Sequence, residues 1–210
     1  MSGLLNHTIT VFLAFFAIMN PVANTTVFLG LTDGEGPAIK RQIAFKSLFI
    51  AFVIVLVFCL FGRLLFELFG ITLPAFRIAG GVLVGLVGFQ MLHGAPSRVH
   101  HPREDADQDE AAALSVAVSP LAMPILAGPG TLATAMNFSA TGNSVEIIIT
   151  IAVFALLCLI TYAFFLTGQR LVGFIGTGGI NVVTRLMGLI LAVIGTQMAI
   201  VGLHAAGFGT

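Results

Sequence analysis

The chain has 210 residues, of which 58% are hydrophobic and 9% charged, and its mean hydropathy of +1.07 lies far above that of soluble domains. Nine Lys and Arg balance nine Asp and Glu, so no basic excess exists to grip nucleic acid or an anionic lipid surface, and the composition argues against a nucleic-acid partner. The expectation is an integral membrane protein with the lipid bilayer as its surroundings.

A helix needs about 20 apolar residues to cross the roughly 30 Å hydrocarbon layer, and six stretches reach that length. The first runs from about Thr8 to Leu31. No Lys or Arg precedes its apolar core, so it reads as a retained span rather than a cleaved leader. Asn20-Pro21-Val22-Ala23-Asn24-Thr25-Thr26 interrupts it, and Asp33-Gly34-Glu35-Gly36-Pro37 turns the chain. The second span, from about Ala44 to Leu68, has no charge or breaker between Leu48 and Phe61 and reads as scaffold. The third, from about Leu73 to His93, carries Gly80, Gly81, Gly85 and Gly88, which let a neighbouring helix approach closely.

Residues 95–113 hold Arg98, Arg103, Glu104, Asp105, Asp107, Asp109 and Glu110 and read as an exposed charged linker. It joins two halves, 1–94 and 114–210, of a single transmembrane domain. The fourth span contains Ser119 to Thr134 and continues to about Ser139. The fifth runs from about Val145 to Leu166, a glycine-rich connection covers Gly168 to Gly179, and the sixth runs from about Asn181 to Leu203.

The halves repeat. Gly62-Arg63-Leu64 through Gly70 is similar to Gly168-Gln169-Arg170 through Gly176, Arg77-Ile78-Ala79-Gly80 to Arg185-Leu186-Met187-Gly188, and Gln90-Met91 to Gln197-Met198. Three spans per half send the second copy into the membrane from the opposite side, an inverted repeat. The fold class expected is therefore all-α, with six transmembrane helices as two inverted three-helix repeats and discontinuous first and fourth helices. With the amino terminus outside, the cytoplasmic side receives Lys40, Arg41, Lys46, Arg98, Arg103, Arg170 and Arg185, against Arg63 and Arg77 outside. That bias places both termini outside an inner membrane.

Chemistry concentrates at two breaks. Ser119 to Thr134 carries Pro120, Pro124, Gly128, Pro129 and Gly130, and each proline removes an amide donor and clashes with the carbonyl four residues back. Freed peptide groups survive in hydrocarbon only when buried in protein or lining a polar cavity, and paired breaks in two halves point to a transporter's substrate site. Gly128-Pro129-Gly130-Thr131 would open a half-helix whose amides and positive dipole end suit a carboxylate. Asn20, Asn24, Thr25 and Ser119 would supply neutral hydrogen bonds, and carbonyls freed by Pro21, Pro120, Pro124 and Pro129 would accept from an ammonium group. The plain reading is that both breaks are packing kinks.

Arg77 and Arg185 hold matching positions and read either as interfacial anchors or as a gate between repeats. Gln90 and Gln197, also matched, read as interhelical hydrogen-bonding or cavity-lining groups. No carboxylate lies at mid-membrane, where a proton relay would place one. His100 and His101 read as part of a solvated loop, and His7, His93 and His204 as interfacial. Cys59 and Cys158 read as packing residues. No Asp, Glu, His or Cys pair sits at helical spacing within a span, and no nucleophile and base pair is visible, so neither a metal, a cofactor nor an enzyme is expected.

These motifs resemble the MarC/SnatA family (UPF0056-type) over almost the whole chain. The resemblance rests on Asn20-Pro21 with Asn24, Phe76-Arg77-Ile78-Ala79-Gly80-Gly81, Ser119-Pro120-Leu121-Ala122-Met123-Pro124 with Ala127-Gly128-Pro129-Gly130, and Arg185-Leu186-Met187-Gly188. Ala23 departs from an Asn-Pro-x-Gly-Asn pattern common among relatives. The resemblance implies transport of a small neutral amino acid, such as glycine or alanine, coupled to a proton, with the discontinuous first and fourth helices around the substrate. The competing reading is an exporter of another small solute, a drug or metal ion, or a family member that transports no amino acid. Oligomeric state is not encoded in these motifs.

Overall fold

The computed structural model describes residues 2–93, 121, 126–140 and 144–208. Among them the chain forms helices α1 (Ser2–Met19), α2 (Pro21–Leu31), α3 (Pro37–Phe69), α4 (Leu73–Leu92), α5 (Pro129–Ala140), α6 (Ser144–Leu166) and α7 (Gly168–Ala205), and no strand. The expected linker 95–113 and the expected site residues Ser119, Pro120 and Pro124 lie outside the described residues.

Five stretches among the described residues are long and apolar enough to cross a bilayer: Gly3–Leu31, Pro37–Gly62, Leu73–Leu92, Ser144–Leu166 and Gly178–Ala205. The first comprises α1 and α2. The expected fourth span falls largely outside the described residues. Its described remainder, α5, has 12 residues and is about 18 Å long, too short to cross alone.

Local chemistry sets the helix ends. Proline suits the first helical position, where its missing N–H costs nothing, and Pro21, Pro37 and Pro129 all stand there. Because Pro37 starts α3, the helix begins well before the apolar stretch that announced it at Ala44. Lys40, Arg41 and Gln42 are good helix formers that hydropathy does not detect. Gly70 closes α3 with φ 63 and ψ 24, and Ile71 N–H donates to the Phe66 carbonyl at 2.9 Å, a left-handed cap that glycine accepts without strain. Thr72 then caps α4, its hydroxyl accepting from Ala75 N–H at 3.4 Å.

The expected glycine-rich connection between the fifth and sixth spans takes helical form: the segment is helical from Gly168, and Gly176, with φ 69 and ψ 164, kinks α7 just before its membrane-crossing stretch Gly178–Ala205. Glycine at 168 serves close packing, since a Cβ there would stand 2.8 Å from Thr25 Cγ2. A glycine-rich run reads as loop in sequence, but apposition to α2 holds this one in helix.

The main core joins α1, α3, α5 and α6, with the Phe15 and Phe154 rings 5.0 Å apart at its centre. The two short helices after the breaks are the most enclosed. In α2, Pro21, Val22, Asn24, Thr25 and Phe28 are buried; in α5, Thr131, Ala133, Thr134, Ala135, Met136 and Ser139 are. By contrast, Phe45, Phe49, Leu60, Val82, Leu86, Leu159 and Val193 are exposed on the outer helices, as a lipid-facing surface requires.

α4 and α7 form the tightest helix pair. A Cβ on Gly81 would lie 2.5 Å from the Gly195 carbonyl and 2.7 Å from Ala199 N; one on Gly88 would lie 2.6 Å from the Gly188 carbonyl and 2.5 Å from Ala192 N. Gly202 meets the Pro74 carbonyl at 2.9 Å in the same sense. As residue numbers rise on α4 they fall on α7, so the helices run antiparallel. Lipid tails are as apolar as the side chains, so such pairs depend on van der Waals contact between closely placed backbones.

This geometry discriminates between neighbouring glycines. Gly88→Ala or Gly195→Ala should destabilise the purified protein by about 1–3 kcal/mol, the usual cost of overpacking. Gly85→Ala, whose Cβ would meet nothing within 4 Å, should leave the melting temperature nearly unchanged. Equal melting shifts for all three would contradict the packing described.

Candidate functional site

Pro21 has no N–H, so the Ala17 carbonyl loses its helical donor and α1 stops at Met19. Asn20 adopts φ 39 and ψ 69, and among the described residues it is the sole non-glycine residue with positive φ. Asparagine enters this region more readily than most residues because its short amide bonds locally. Here Asn20 Oδ1 accepts from Ala23 N–H at 3.3 Å, capping α2. The backbone stays paired across the break: Asn20 N–H donates to the Phe16 carbonyl at 2.9 Å, and Asn24 N–H to the Asn20 carbonyl at 3.0 Å.

Asn24 and Thr25 serve the break itself. Asn24 Nδ2 donates to the Met19 carbonyl, and Thr25 Oγ1 donates to the Pro21 carbonyl at 2.7 Å. From α6, Thr161 Oγ1 approaches Met19 Sδ at 3.7 Å. Sequence reasoning offered Asn24 and Thr25 as ligands, yet both side chains donate to main-chain carbonyls, as is common for short polar side chains near helix ends.

Asn20 differs. Its side chain is 4% exposed, and Nδ2 is buried without a hydrogen-bond partner among the described residues. Leaving such a donor unmade costs about 1–3 kcal/mol, so its retention calls for an explanation.

At the second break, Ala127 and Gly128 are non-helical and Pro129 opens α5, whose first regular bond runs from Leu132 N–H to the Gly128 carbonyl at 3.0 Å. The amides of Gly130 and Thr131 have no acceptor within the helix and lie at its positive dipole end. Gly130 is packed against the first break: a Cβ there would stand 2.5 Å from Ile18 Cδ1, two residues before Asn20. Leu126 and Ala127 share the core cluster with Met19. The fold therefore sets the end of α1, next to Asn20, against the opening of α5 at Gly130.

One turn further along α5, Thr134 is 1% exposed and its Oγ1 is buried without a partner among the described residues. Sequence reading missed it. The available signal was register, since Thr134 follows Pro129 by the same interval that separates Thr26 from Pro21.

The matched pairs have unlike surroundings. Arg77 Nε donates to Asn137 Oδ1 at 3.0 Å and so ties α4 to α5, whereas Arg185 is exposed. Gln90 is half-buried and Gln197 exposed. His7, expected at an interface, packs edge-on against Phe138 at 5.8 Å with Nε2 buried and unpartnered among the described residues. Cys59 and Cys158 are buried free thiols. No cluster of three or more His, Cys, Asp or Glu capable of holding a metal occurs among the described residues.

Apolar spans, a helix broken at Asn20-Pro21 in contact with the opening of α5, and a lipid-facing exterior define a multi-pass helical membrane protein with a polar point in its interior. A model of the MarC family of integral membrane proteins matches residues 5–206. The membrane protein YvbG of Bacillus subtilis is 38% identical over 197 residues, 92% of each chain. The inner membrane protein MarC of Salmonella paratyphi A is 32% identical over 198 residues, 88% of each. YhcE of Escherichia coli is 30% identical over 196 residues, 91% of this chain and 89% of its own. No solved structure matches. The chain belongs to the MarC family.

The roles of Asn24 and Thr25 can be separated by substitution. Asn24→Leu strands the buried Met19 carbonyl and should destabilise the protein by about 1–3 kcal/mol. Thr25→Val leaves the Pro21 carbonyl its ordinary helical donor, so its thermal denaturation should shift by less than half as much.

Proposed function

We propose that this protein is a secondary transporter of small neutral amino acids, such as glycine or alanine, working by alternating access around the two breaks. The observation that carries the reading is the buried Asn20 Nδ2, unpartnered among the described residues, beside a second helix opening. A substrate carboxylate would accept from Asn20 Nδ2 and from the Gly130 and Thr131 amides at the dipole end of α5. Its ammonium group would donate to Thr134 Oγ1 and to the Ala17 carbonyl that Pro21 deprives of a donor. Held this way, a zwitterion needs no charged side chain. Glycine at 128 and 130 keeps the backbone approachable and suits a small solute.

Two inverted three-helix repeats form part of the same proposal. The support is reciprocity across α4 and α7. Counted from the matched Gln90 and Gln197, Gly81 falls with Gly188 and Gly88 with Gly195, one residue from the register that matches Arg77 and Gly80 with Arg185 and Gly188. Gly81 meets Gly195 while Gly88 meets Gly188. Contact of each position with the other's counterpart is what a two-fold relation produces. Rocking of one repeat against the other would alternate access. The Lys and Arg bias supports placing both termini outside an inner membrane.

The decisive variant is Asn20→Gly, because glycine adopts φ 39 freely but carries no amide side chain. Purified protein should gain thermal stability on adding glycine or alanine, and proteoliposomes should exchange labelled glycine. Asn20→Gly should weaken binding by at least about tenfold, in line with about 1.5–3 kcal/mol for a hydrogen bond to a charged group, while the protein still inserts in the membrane. Gly130→Leu should abolish exchange. Unchanged exchange in both variants would remove the site assignment.

A further inference from the structure

A cavity of about 570 Å³ lies between the C-terminal end of α2, the start of α3 and the junction of α6 with α7. Glu35, Lys40, Gln169 and Arg170 give it a polar lining, and Leu29 and Phe165 an apolar one. No ion pair joins Glu35 to Lys40 or Arg170 among the described residues, and Gln169 and Arg170 are exposed at the mouth of the cavity. Two cations against one carboxylate leave the cavity net positive, and low-dielectric walls concentrate such a potential.

Its inner end adjoins α2, the helix that follows the first break. Phe165, 2% exposed, stacks face to face on Phe28, 1% exposed, with ring centroids 4.4 Å apart and planes 1° from parallel. Gly168, flanked by the cavity residues Thr167 and Gln169, packs on both Thr25 and Leu29 of α2. Thr25, Phe28 and Leu29 are spaced to share one helix face. Leu29 lies about 6 Å along the axis from Thr25 and about 14 Å from Asn20 at roughly 1.5 Å per residue. The cavity thus ends at the Phe28–Phe165 stack, beyond which Thr25 lies one turn nearer the break.

We propose that this cavity is the vestibule of the transport route on the side of the 33–37 turn, collecting zwitterionic solutes carboxylate-first, and that the Phe28–Phe165 stack is the plug separating it from the break. The inference rests on the amino-acid transport reading, and its test has an arm that does not depend on that reading. In a Cys59→Ala, Cys158→Ala background, Gln169→Cys should react rapidly with a membrane-impermeant thiol reagent applied from that side. Thr25→Cys should resist the same reagent, and adding Phe165→Ala should raise its labelling rate at least tenfold. Phe28→Ala, made separately, should do the same and guards against a folding defect peculiar to one variant. A Thr25→Cys that labels as fast with both rings present, or stays protected in both plug variants, overturns the plug.

The second arm measures glycine exchange in proteoliposomes. A bulky maleimide on Gln169→Cys should slow exchange at least tenfold, and Lys40→Gln with Arg170→Gln should raise KM about threefold or more without a matching loss of kcat. Exchange that survives the adduct removes the vestibule but leaves the substrate reading standing. Labelling as expected in protein that neither binds nor exchanges any amino acid removes the substrate reading, and the solute class with it, while the vestibule and plug remain.

Discussion

A chain in hydrocarbon must pair its own peptide groups, and the rest of this structure depends on how that requirement is met at Asn20-Pro21. Pro21 cannot donate, the helix stops, and several main-chain groups would be left bare. Asn20 takes a backbone conformation few side chains tolerate and turns its own oxygen onto Ala23 N–H. Asn24 covers the Met19 carbonyl from the next turn. The break is therefore a built feature in which nearly every exposed group is answered locally. What remains over is the Ala17 carbonyl, which Pro21 deprives of its helical donor, and the buried Asn20 amide nitrogen.

A broken helix also needs walls. α2 and α5 are short and carry buried polar side chains, so neither could face lipid at acceptable cost. The long helices α3 and α6 supply an apolar sleeve on one side, with lipid-facing residues on their outer surfaces. On the other side, α4 and α7 lock backbone to backbone through glycines. Arg77, reaching from α4 to Asn137 on α5, links that locked pair to the enclosed helix. The long outer helices thus enclose the two short inner ones.

Polarity in the interior is sparse and therefore informative. Ser47, Thr32, Thr150 and Thr161 are buried, and each hydroxyl returns to a nearby main-chain carbonyl three or four residues back, which leaves them no unmet donor. Asn20 and Thr134 do not follow that rule. A carboxylate or ammonium could answer them at small energetic cost, because the protein has already removed those groups from water. A separate cavity lined by Glu35, Lys40, Gln169 and Arg170 meets the stacked rings of Phe28 and Phe165 at Phe165.

Much of this was legible in the residues. Apolar runs of sufficient length located the spans, because bilayer thickness imposes a length that composition reveals. Pro21 and Pro129 located the breaks, because a missing N–H interrupts a helix in any fold. Glycines at 81, 85 and 88 announced a close helix contact without naming the partner. Tertiary structure alone decided the rest. It assigned the donors of Asn24 and Thr25 to the break, held the segment from Gly168 to Ile175 in helix against α2, gave Arg77 a partner on α5 while leaving Arg185 exposed, and singled out Thr134. Each of those outcomes turns on which group lies within about 3 Å of which other, and distance between residues far apart in the chain is set by packing, which no local pattern encodes.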